Sequence, residues 1–131
     1  MIQRFVDAWE KNKPAIRRVF ADAHPVDYDD VVLTVLAGLR HEAASQGGFP
    51  DPEATEVIEG EGYAGTNTYI LVDSFRGEPR WYVRVDYGSC SGCDTLCAIH
   101  DSSRSERPTD DQVDEYMTLA LHIVQSIKEF E

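Results

Sequence analysis

Residues 79 to 87, PRWYVRVDY, alternate in polarity: Trp81, Val83, Val85 and Tyr87 fall on one side, Tyr82, Arg84 and Asp86 on the other. A period of two belongs to an extended strand with one buried and one wetted face, and no helix satisfies it. Two upstream segments, TEVIEG (55–60) and GYAGTNTYILVD (62–73), are also rich in β-branched and aromatic residues. Turns are expected at GEG (60–62) and SFRGE (74–78). The spacing predicts a three-stranded antiparallel meander with one apolar face, which helices must cover on that side only.

On either side of the meander the period is helical. Residues 2–24 place Phe5, Val6, Trp9, Ile16, Val19 and Phe20 at roughly helical spacing, and Pro14 predicts either two helical pieces or a kink. In residues 27–45, Asp27 is the expected cap, acids fill the first turn, and Val31, Val32, Val35, Leu36 and Leu39 make an apolar face. Gly47 and Gly48 are the expected stop. After the meander, SGCDTLCAIHDSS (91–103) reads as a short helix capped by Ser91, followed by the polar linker SRSERP (103–108). The last helix opens on a Thr109/Gln112 capping box and carries an apolar stripe from Val113 through Ile127 and Phe130. The order ααβββαα predicts one α+β domain over 1–131: a small three-stranded antiparallel sheet covered on one face by N-terminal and C-terminal helices.

Charge narrows the function classes. Twenty-four acids against twelve lysines and arginines give a net charge of −12. Direct binding to nucleic acid or to anionic lipid is disfavoured, because both would be repelled. The electrostatic complement is a basic or nucleic-acid-binding protein, which includes the case of a DNA mimic. No apolar run approaches the roughly 20 residues of a membrane span, and MIQRFVDAWEKNKP lacks the layout of a signal peptide. The expected location is cytoplasmic.

The one chemically distinctive segment is DYGSCSGCDTLC (86–97), which holds all three cysteines. Cys90, Cys93, Cys97 and His100 follow at spacings of three, four and three, those of one helical face. They match a tetrahedral zinc site in number and type, although structural zinc sites usually draw their ligands from two chain segments. Alternatively, Cys90 and Cys93 form a C-x-x-C redox pair at a helix start, without the βαβ context of thioredoxin-like proteins. Iron–sulfur ligation lacks a fourth thiolate. Reduced thiols packed as small apolar residues, with no cofactor, remain the simplest account. No nucleophile elbow, phosphate loop, dinucleotide fingerprint or H-E-x-x-H motif occurs, so no catalytic residue is assigned. Tyr63, Tyr69, Phe75 and Tyr82, around the hairpins, are candidate anchors for a protein partner.

YGSCSGCDTL (87–96), preceded by GYAGTNTYILV (62–72) and by FVDAWEKNK (5–13), resembles an uncharacterised family of small bacteriophage and prophage proteins. The resemblance implies a phage-type accessory protein acting in the host cytoplasm. In that family's pattern Gln stands at the position of Cys97, which leaves Cys90 and Cys93 as the pair for any metal or redox chemistry.

Overall fold

The alternation at 79–87 is a strand, as its period requires, and it sits inside a sheet with one buried face. The computed structural model describes residues 2–40, 48–62, 64–89 and 94–130. Its elements are α1 (Gln3–Asp22), α2 (Tyr28–Arg40), a 3-10 turn (Pro52–Ala54), β1 (Glu56–Ile58), β2 (Gly65–Val72), β3 (Pro79–Tyr87), α3 (Thr95–Asp101), α4 (Asp110–Ser126) and β4 (Lys128–Glu129). The fold is α+β, with a four-stranded antiparallel sheet in the order β1-β2-β3-β4.

The fourth strand corrects the expected three. The apolar stripe of α4 runs on in sequence to Phe130, but the helix stops at Ser126 and Ile127 turns extended. Ile127 is buried in this geometry as it would be in a helix, so its burial leaves the period uninformative. What tips the balance is the unpaired edge of β3: Lys128 and Glu129 pair with Tyr82 and Trp81, the Phe130 amide donates to the Arg80 carbonyl at 2.9 Å, and the Phe130 ring lies 5.0 Å from that of Tyr82.

Pro14 neither splits nor ends α1, which is one helix from Gln3 to Asp22. Pro14 is exposed, so the Glu10 carbonyl that loses its helical partner lies on the water side. The buried stripe Phe5, Trp9, Ile16 and Phe20 spans both sides of the proline, and burying it outweighs one lost hydrogen bond. α1 packs against both α2 and α4, and α2 also touches α4. The cover of the sheet is therefore this three-helix layer with α3 at one end, rather than N- and C-terminal helices lying separately. α1 and α2 approach closely at Gly38, where an added Cβ would come within 2.3 Å of Ile16 Cγ1.

Tyr69, Leu71, Trp81, Val83 and Val85 are the buried sheet residues, all on one face. The register rows Val57–Tyr69–Val83 and Ile58–Thr68–Arg84 separate the helix-facing side from the open side. At the β2–β3 turn, Asp73 accepts from the amides of Phe75 and Arg76 at 2.9 and 3.3 Å and from the Arg80 guanidinium at 2.8 Å, and Gly77 closes the turn with φ +71°. Only a residue tolerant of positive φ fits there.

Candidate functional site

A cleft of about 680 Å³ opens at the end of the sheet farthest from that turn, between the start of α2, α3, and the Gly60, Asn67 and Tyr87 backbone region. This volume lies in the usual range of ligand sites. Its walls follow from local structure. Asp27 caps α2 by accepting from the Asp30 amide at 2.9 Å, and Asp30 accepts from the Val26 amide at 2.8 Å, so both are helix-start residues as their positions imply. Asp29, between them, accepts from the Tyr69 hydroxyl at 2.6 Å and ties α2 to β2.

Asp94 is the second knot. Its carboxylate accepts from the Tyr28 hydroxyl at 2.9 Å, from the Cys97 amide at 2.9 Å and from the Gly88 amide at 2.7 Å, joining α2, α3 and the end of β3. The Tyr28 oxygen in turn accepts from the Leu96 amide at 3.1 Å. Burial pushes the Tyr28 hydroxyl up to about 12, opposed by the Leu96 amide and assisted by Asp94. Burial and then the bond to Asp29 push the Tyr69 hydroxyl above the ordinary phenol range. Both tyrosines therefore remain protonated donors at neutral pH.

A histidine pair forms the far wall. His24 Nε2 lies 3.1 Å from the Ser105 carbonyl, which only accepts, so this nitrogen carries a proton. The Tyr116 hydroxyl, pushed up to about 12 by burial and then by Glu115, lies 2.7 Å from Nδ1 and donates to it in the neutral ring. Neither nitrogen of His24 is then left for a metal. The His100 ring stands 4.8 Å away at 68°, with Nδ1 3.4 Å from Asp101.

The candidates read from the sequence are distributed as follows. Cys97 and His100 both line the cleft, and Cys97 Sγ is 3.6 Å from Asp101 Oδ2. Cys90, Cys93 and Tyr63 lie outside the described residues. α3 begins at Thr95 with Asp94 as its cap, and Ser91, the cap expected from the sequence, lies outside the described residues. Among the described residues the expected helical face thus reduces to Cys97 and His100, and no group of three or more His, Cys, Asp or Glu side chains is placed to hold a metal ion. Tyr69, expected as a surface anchor, is 1% exposed and belongs to the core. Phe75 is 80% exposed at the β2–β3 turn, and Tyr82 is half-buried on the open sheet face with Arg84 5.6 Å above its ring. Neither is near the cleft. Among the described residues no helix is long and apolar enough to cross a membrane.

Sequence reasoning missed Asp29, Glu59, Asn67 and the Asp94–Tyr28 knot as one site. Asp29 was explained by its helix start, and nothing local links it to Glu59 thirty residues on. Among the described residues the cleft is lined by the acidic residues Asp27, Asp29, Glu59 and Asp94 and by no lysine or arginine. No protein-family model, no curated protein and no solved structure matches this chain.

Proposed function

We propose that this chain is a small acidic accessory protein of the phage or prophage type, acting in the host cytoplasm as a non-enzymatic binding module for a basic or nucleic-acid-binding protein. The observation that carries this reading is the cleft with four acidic residues and, among the described residues, no lysine or arginine in its wall. A lysine or arginine entering it meets carboxylates that accept from amides and hydroxyls but, among the described residues, pair with no lysine or arginine. Several cations form ion pairs elsewhere, among them Lys13 with Glu10, Arg17 with Asp114, Arg40 with Asp51, and Arg80 with Asp73 and Glu129. The phage character is supported by the resemblance around residues 87–96.

Immobilised protein is exposed to host lysate beside a Glu59→Lys variant. The expected result is a basic protein retained by the wild type, lost from the variant, and eluted by salt as screening shortens the reach of the carboxylates. A DNA-mimic mode adds that the captured protein binds nucleic acid and is displaced by it. No enrichment, or enrichment indifferent to both Glu59 and salt, overturns the reading.

A zinc or thiol-redox module built on Cys90 and Cys93 is the second reading, favoured by Cys97 and His100 lining one cleft. Elemental analysis of untagged protein with anaerobic thiol titration decides it. One zinc per chain, or an oxidised pair, establishes the site, whereas three free thiols without metal remove it.

A further inference from the structure

We infer that β1 is an acceptor edge, on which a partner segment with lysine or arginine at alternate positions adds as a fifth strand beside Glu56–Ile58. This rests on the basic-partner reading and names how the partner is held. Among the described residues β1 ends the sheet order, pairing with β2 on one side only. In such a strand alternate residues turn their N–H and C=O groups outward, where they template another strand. All three residues are exposed, and Ile58, at 60%, leaves a β-branched apolar side chain bare. β-branched side chains favour strand pairing.

Charge selects the occupant. No lysine or arginine occurs between Arg40 and Arg76, while Glu53, Glu56, Glu59 and Glu61 crowd the edge. A second copy pairing β1 to β1 would bring both sets of these glutamates along one seam, and like charges across a strand pair are destabilising. A segment with alternate cations meets the opposite situation. Main-chain bonds supply affinity in this mode, and side chains at every second position supply selection.

The edge is continuous with the cleft. Val57 shares the helix-facing row with Tyr69, and Glu59, two residues on, lines the cleft. Cationic side chains on that face of an added strand run along the row towards Glu59 and Asp29. The intervening side chains, on the other face, lie beside Glu56 and Ile58.

The test titrates the whole protein with two short peptides of equal charge, one alternating lysine and valine, the other with the central valine replaced by proline. Proline removes a donor and cannot continue the ladder. The expected result is binding of the first peptide with slowed hydrogen exchange at the outward-turned amides of β1, those of alternate residues, and about tenfold weaker binding of the second, or 1.4 kcal/mol. Glu56→Lys weakens the first peptide further. Equal binding of both peptides, without new protection in β1, overturns the acceptor edge and leaves the basic-partner reading standing. Binding of neither overturns the edge too, and makes the glutamates a guard against edge-to-edge aggregation. Self-association of the peptide-free protein, strengthened by Glu56→Lys, overturns it in favour of a second copy.

Discussion

Removing the Asp94 carboxylate gives the sharpest test of how the cleft is held together. Asp94 is 9% exposed and accepts from three donors, the Tyr28 hydroxyl and the amides of Cys97 and Gly88. Asp94→Ala deletes the α3 cap, costing about 1 kcal/mol. It also strands the Tyr28 hydroxyl and the Gly88 amide, at about 1–3 kcal/mol for each donor left without an acceptor. Water entering from the open cleft offsets part of this, so the expected loss is about 3–4 kcal/mol, a large fraction of a domain's stability. Asp94→Asn separates the contributions. Asparagine caps a helix as well as aspartate does, and its oxygen can serve Tyr28 and Cys97, but its amide then confronts the Gly88 N–H. One charge-assisted bond is lost, about 1.5–3 kcal/mol. Tyr28→Phe removes the shared bond from the other side, so the double variant with Asp94→Ala should fall short of additivity by about 1 kcal/mol. Urea unfolding at neutral pH, followed through the buried Trp9 and Trp81, reads the wild type and all four variants. A loss under about 1 kcal/mol for Asp94→Ala, equal losses for Ala and Asn, or strict additivity with Tyr28→Phe would refute the reasoning.

Gly38→Ala should lower stability by about 1 kcal/mol although alanine is the better helix former, because overpacking against Ile16 outweighs the propensity gain; a stabilised variant in thermal melts would contradict the close approach. Burial opposes ionisation of Asp73, but Arg80 and the amides of Phe75 and Arg76 outweigh it and hold the carboxyl below its ordinary value of 3.8. A depressed folded value gives stability that is present above pH 3.8 and lost as pH falls through the lower folded value, so Asp73→Asn should flatten the acid limb of a stability profile and cost about 2 kcal/mol at pH 7. An unchanged acid limb counts against this pairing. Phe75→Ser, at the exposed turn, should move the denaturation midpoint by no more than about 0.5 kcal/mol of stability. A larger loss would mean that Phe75 packs on the fold.

Several elements were legible from pattern alone. Strict alternation marked β3, whose Trp81, Val83 and Val85 are buried, and the Thr109/Gln112 box opens α4 with both reciprocal bonds present. Val31, Val32, Val35, Leu36 and Leu39, the apolar face of α2, are all buried. β2 was legible as a strand but not in its orientation. In GTNTYILV both Tyr69 and Leu71 on one side and Ile70 and Val72 on the other are apolar, so alternation does not say which pair faces the helices. The register with β3 decides it, and it turned Tyr69 from a surface anchor into a core residue bonded to Asp29.

The sequence by itself determined the α+β composition, the local caps and the acidity, because periodicity, capping and charge are properties of neighbouring residues. The tertiary structure decided the continuity of α1 through Pro14, the pairing of β4 with β3, and the gathering of His24, Asp29, Glu59, Asp94 and His100 around one cleft. Each of these depends on contacts between segments far apart in the chain, where burial of a shared core outweighs local preference and no short-range pattern records the outcome.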